Sequence, residues 1–129
     1  MVPVRGKRPA TAPIRAILAT LALCACPLRA SDYLREIKPV LKERCQSCHG
    51  ALKQRAGLRL DTAARLLAGG KEGAVVVAGK PDESRLLSRL TTSDVHERMP
   101  RDAAPLKPEE IAAIRDWILA GAPAPAEER

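Results

Sequence analysis

Apolar residues recur at helical spacing in four separate stretches of the chain, and no stretch pairs with another as strands would. Tyr33, Leu34, Ile37, Val40 and Leu41 predict a helix from an Asp32 N-cap to about Arg44, which Pro39 should kink or divide. Thr62 to Ala68 predicts a short second helix, capped by Asp61 and ended by Gly69-Gly70. Leu86, Leu87 and Leu90 predict the inward face of a third, capped by Asp82 after the turn Gly79-Lys80-Pro81. The fourth runs from Pro108 to Ala120, with Ile111, Ile114, Trp117 and Ile118 as its buried stripe, Glu109 and Glu110 at its positive end and Gly121 as its stop.

Between these helices lie segments without periodicity. Gly50 to Leu60 reads as an irregular loop that brings Leu58 and Leu60 close in sequence to the end of the first helix. Val75-Val76-Val77 has strand propensity, but with no second strand to join, the segment Gly73 to Ala78 is expected to be an extended connector. Thr91 to Lys107 is a polar loop holding His96, Met99 and Pro100, long for a compact domain. The tail over residues 123–129 is expected to fray.

The first thirty residues have a different character. A basic start (Arg5, Lys7, Arg8, Arg15) leads into an apolar run from Ile14 to Cys26 and then Leu28-Arg29-Ala30, the pattern of a secretory signal peptide over residues 1–30. The run is short for a bilayer span, which needs about 20 residues. Leu23-Cys24-Ala25-Cys26 also loosely resembles a lipoprotein box, which would make Cys26 a lipid anchor. This leader carries five of the 22 basic residues and no acid, so the remainder has 17 basic against 15 acidic residues, a net charge of +2. The basic isoelectric point is therefore mostly a property of the leader. With Tyr33 and Trp117 as the sole aromatic residues, a nucleic-acid surface is excluded, and the near-balanced charge points to no strongly charged partner.

About 99 residues remain, enough for one domain over 31–122 with a modest core, and nothing suggests a second. Cys45 and Cys48 are the cysteines left after the leader, within Cys45-Gln46-Ser47-Cys48-His49. C-x-x-C-H is the attachment signature of a c-type haem: two thiols bond to one porphyrin edge while the adjacent imidazole reaches the iron. A redox dithiol and half of a zinc site use the same C-x-x-C. The first lacks its strand and βαβ context here, and the second would need His96 or carboxylates as further ligands. Covalent haem and export are mutually consistent, and a porphyrin would supply the core bulk that a chain without Phe lacks, so the haem-free chain is expected to fold poorly.

The position opposite His49 decides between electron transfer, gas binding and peroxide chemistry. Met99, 50 residues further on, is the leading candidate; His96 is its rival, and an open or water-bound position is the third possibility. Beyond His96 there is no evident acid–base pair for a peroxidase.

Ile37-Lys38-Pro39-Val40-Leu41, Cys45 to Gly50, Gly57-Leu58-Arg59-Leu60-Asp61, Gly69-Gly70, Gly79-Lys80-Pro81, Ser84-Arg85-Leu86, Arg98-Met99-Pro100 and Trp117-Ile118 with Gly121-Ala122 resemble the planctomycete-type cytochrome c domain. That family often has Met-Pro-Pro where this chain has Met99-Pro100-Arg101, a departure that touches loop shape more than ligation. The resemblance implies a small all-α, class I cytochrome c-like fold of three to five helices around one covalently bound haem c per chain. It implies His49 as proximal and Met99 as distal ligand, and terminal helices that cross through Tyr33, Ile37, Leu41, Ile114, Trp117 and Ile118. In such a protein Leu58 and Leu60 would wall the haem, and Arg59 and Arg98 are candidates to pair with its propionates. The resulting expectation is an exported, periplasmic or envelope-associated electron carrier, not a catalyst, that exchanges electrons with separate redox proteins. A peroxidase-like haem enzyme and a haem-based sensor or interaction module are the alternatives.

Overall fold

Asp32 opens the first helix by accepting hydrogen bonds on its carboxylate from the backbone N–H groups of Leu34 (2.9 Å) and Arg35 (3.2 Å). The computed structural model describes residues 1–3 and 31–128. The leader and its Cys24 and Cys26 therefore lie outside the described residues, apart from the first three positions.

The helix begins as a wide π-turn, Tyr33–Ile37, and continues as α1, Lys38–Arg44. The change falls beside Pro39, which cannot donate to the carbonyl four residues back. The expected division is thus a change of pitch. After α1 come α2 (Ala63–Ala68), α3 (Arg85–Thr91) and α4 (Pro108–Leu119), with 3₁₀ turns at Arg55–Gly57 and Pro81–Glu83. Among the described residues there is no strand, so the all-α expectation holds; Gly73 to Ala78 is a connector without a strand, bent at Val75. No helix of the described residues is long and apolar enough to cross a membrane.

Two helix starts differ from expectation. Thr62 caps α2, its hydroxyl accepting from Arg65 N at 3.2 Å, because the Asp61 carboxylate is held by Arg59. Asp82 belongs to a 3₁₀ turn, and α3 starts three residues later at Arg85. Ser84, just before it, turns its buried hydroxyl to the connector, accepting from Val77 N (2.9 Å) and facing Lys80 O (2.9 Å). That contact closes the 77–84 turn and aims α3 across the body.

The core forms where the first helix meets α4. Tyr33, Ile37 and Leu41 pack with Ile114, Trp117 and Ile118, all 5 % exposed or less. The Tyr33 and Trp117 rings lie 5.5 Å apart at 40°, and the indole N–H donates to Pro123 O at 3.0 Å. Each such side chain contributes about 1.5–3 kcal/mol by leaving water. Leu60, Leu66, Leu86, Leu87 and Leu90 extend the core toward the motif.

The tail expected to fray returns to the body instead. Glu128 sets one carboxylate oxygen 3.0 Å from Lys38 Nζ and accepts on the other from Ala63 N at 2.6 Å. It satisfies one of the unpaired donors at the start of α2.

Candidate functional site

Cys45 follows α1 directly, its N–H bonded to Leu41 O, so the helix delivers the motif to a fixed place. The next residues close a tight turn: Cys48 N and His49 N both donate to Cys45 O, at 3.1 and 2.9 Å. The loop that follows then clamps the motif. Arg55 N donates to Cys48 O (3.0 Å), Leu60 N to His49 O (2.7 Å), and the Gln46 amide to Leu60 O (3.3 Å). Three loop backbone groups thus fix residues 46 to 49.

The motif opens onto a cavity of about 590 Å³, within the size range of cofactor pockets. Cys45, Cys48, His49 and Met99 all line it, although Met99 comes from a loop 50 residues beyond His49. Leu58, Leu60, Val75, Leu86 and Leu90 form its apolar walls. Met99 is held in place by its N–H, which donates to Arg89 O at 2.7 Å, and its side chain packs against the core.

His49 Nδ1 lies 3.1 Å from the Arg55 carbonyl oxygen. A carbonyl can only accept, so Nδ1 carries the proton and Nε2 is left as the lone-pair nitrogen, the arrangement a metal-ligating imidazole needs. Among the described residues Cys45 and Cys48 form no disulfide and are free thiols. Burial pushes the Cys45 thiol up to about 11; Arg44 pulls the other way and Glu110 adds to the rise. Two thiols, one oriented imidazole and one thioether in an apolar cavity form a donor set that fits a covalently attached haem.

Zinc fits less well. Among the described residues no group of three or more His, Cys, Asp and Glu side chains gathers as a metal site. His96, the histidine that reading could have used, faces a neighbouring cavity with Val95 and Arg98.

The cationic residues are arranged differently from expectation. Arg59 does not line the cavity: its guanidinium is paired with Asp61, Nε to Oδ1 at 2.9 Å and Nη2 to Oδ2 at 2.5 Å. Arg98 lines the neighbouring cavity and has a buried Nε without a hydrogen-bond partner among the described residues. The cations on the haem-sized cavity are instead Arg44, Arg55, Lys71, Arg85, Arg89 and Arg101. Arg85 is bound to Glu72 (2.6 Å) and Arg89 to Glu97, while Arg44 donates to Ala104 O (2.5 Å). Sequence offers no local signal for this set, because its members come from five separate segments.

Residues 45–102 match the family model described as Planctomycete cytochrome C. The matched segment starts at the first motif cysteine and ends past Met99, so the two terminal helices lie outside it. No curated protein and no solved structure matches the chain significantly.

Proposed function

From the premise that residues 45–102 form a planctomycete-type cytochrome c domain, we propose that the chain is a one-electron carrier working outside the cytoplasmic membrane. The observation that carries this is the shared cavity: Cys45, Cys48 and His49 line it together with Met99. Cys45 and Cys48 would hold one haem c through thioethers, His49 would ligate its iron from one face and Met99 from the other. The bound haem supplies a metal that gains or loses one electron without binding substrate.

The chain's own groups set the conditions. The Arg55 carbonyl fixes the His49 tautomer and makes Nε2 a better donor. The bond from Met99 N to Arg89 O anchors the opposite loop to α3, so both ligands sit on braced segments. Leu58, Leu60, Val75, Leu86 and Leu90 exclude water, which limits reorganisation when charge changes. With His49 and Met99 both serving as ligands, the iron would offer no open position to peroxide or a gas, which separates this reading from a peroxidase or a sensor.

The leader over residues 1–30 supports export, the compartment in which haem c is attached, and Cys26 offers a lipid anchor. The partners are separate redox proteins. The test is to express the full chain with a c-type maturation system and weigh the product. Haem mass on the chain, loss of the leader and slow cyanide and carbon monoxide binding are expected. A colourless product, or rapid ligand binding by the protein as isolated, overturns the proposal; the mass also separates cleavage after Ala30 from lipidation at Cys26.

A further inference from the structure

A haem brings two propionate carboxylates as well as iron, and anions entering a largely apolar cavity require cations at its wall. The two arginines nearest the motifs in sequence do not serve: Arg59 is committed to Asp61 and Arg98 faces the neighbouring cavity. Three of the six cations on the wall are also committed, Arg85 to Glu72, Arg89 to Glu97 and Arg44 to the 104–105 carbonyls.

Arg55 and Lys71 differ from these. Sixteen positions apart in sequence, they are brought together by a bond between two turns, Lys71 N donating to Ala56 O at 2.9 Å. The Lys71 side chain lies across the 55–57 turn, so close that a Cβ placed on Gly57 would meet Lys71 Cγ at 2.8 Å. Both residues line the cavity, and among the described residues neither side chain has a carboxylate partner. The acid next in sequence, Glu72, is taken: Arg85 binds its carboxylate at 2.6 Å and its carbonyl at 2.8 Å. Two cations carried on turns joined in this way, on one cavity wall, favour an anion in the space they share. Arg101 also lines the cavity, but alone, on the Met99 loop.

We propose that Arg55 and Lys71 form the seat of the haem propionates, a binding site for carboxylates built by joining the 55–57 and 70–73 turns. This rests on the haem-carrier reading above. It also assigns Arg55 two tasks on one residue, since its carbonyl orients His49 while its guanidinium would pair with a carboxylate of the haem.

The test follows the midpoint potential of the haem-loaded protein against pH, where propionate ionisation shows as a break in slope. An opposite charge at close range lowers a carboxyl pKa by about 1–3 units, so Arg55→Gln and Lys71→Gln should each move the break up by about 1 pH unit. The propionate bending bands in the resonance Raman spectrum should shift with them. Arg55→Lys and Lys71→Arg should restore the wild-type profile, and Arg59→Gln and Arg98→Gln should leave it in place. An unmoved break in the Arg55 and Lys71 variants, or one moved by Arg98→Gln or Arg101→Gln instead, overturns this assignment alone. Wild-type protein without covalent haem overturns the carrier reading, and this assignment with it.

Discussion

The imidazole of His49 and the carbonyl of Arg55 are joined at 3.1 Å by a hydrogen bond that spans six residues and closes the loop on the motif. Arg55 can present its carbonyl there because the chain reverses immediately after it: Ala56 and Gly57 are consecutive left-handed residues, at φ 56° and 65°. Gly57 takes this conformation at no steric cost, whereas an L side chain costs about 1–2 kcal/mol.

Gly57→Val should therefore destabilise the protein by at least about 1–2 kcal/mol, because its Cβ would also press on Lys71 Cγ, with the Tm falling by several degrees. Loosening the turn also weakens the Nδ1–H bond, makes Nε2 a poorer donor to ferric iron, and so raises the midpoint potential. A thermal melt and a potentiometric titration check the two effects separately. A lowered Tm with an unchanged potential would show that the Arg55 carbonyl keeps its place without this turn.

Local signals made much of the molecule legible before any coordinates. Helical spacing together with start and stop residues located all four helices, and Gly121, at φ 98°, follows the last as its stop. The motif and Met99 could be singled out because their chemistry is rare in this chain, and the fold brings them to one cavity. What stayed hidden was set by backbone geometry and long-range contact. The π-turn before Pro39 does not show in side-chain periodicity. Arg59 and Asp61 are neighbours that satisfy each other, which removed both the expected propionate partner and the expected cap of α2. Arg55 and Lys71 meet through a bond between main-chain groups, and Glu128 meets Ala63 across 65 residues. Residue type does not announce either contact.

On the proposed His49 and Met99 ligation, Met99→Ala should open the iron position that Met99 would hold. Cyanide and carbon monoxide should then bind faster than to the wild type, and the long-wavelength absorption of methionine-ligated ferric iron should vanish. Met99→His should keep two ligands but lower the potential, since a thioether favours ferrous iron more than a second imidazole does. Stopped-flow absorbance and a redox titration report both. If His96→Ala opens the site and Met99→Ala does not, the assignment of Met99 fails.

The Arg59 guanidinium, bonded to both oxygens of Asp61, holds that carboxyl below the usual aspartate range. A folded-state pKa below the unfolded one adds stability that is complete above the unfolded value of about 3.9 and is lost as pH falls through the folded value. Asp61→Asn should therefore be less stable than wild type at neutral pH, and the gap should close in acid. Urea unfolding at a series of pH values from about 7 down to about 3 measures this. A gap that stays constant through acid would mean that the ion pair contributes nothing to folding.

Glu128 ties the C-terminal tail to α1 and α2. Its carboxylate lies 3.0 Å from Lys38 Nζ in α1, accepts from Ala63 N at the start of α2, and is 8 % exposed. It also acts on Tyr33, whose hydroxyl pKa is pushed up first by burial and then by the nearby Glu128 charge. A hydrogen bond to a charged group is worth about 1.5–3 kcal/mol when its partner is left buried, so Glu128→Ala should cost about that much. Glu128→Gln keeps an acceptor for Ala63 N but loses the charge, and should fall between wild type and Glu128→Ala. Removing the charge should also lower the Tyr33 pKa, visible in an ultraviolet titration, while the haem spectrum stays unchanged because neither Glu128 nor Tyr33 lines the cavity. A stability loss below about 0.5 kcal/mol in Glu128→Ala would mean the tail merely rests on the body.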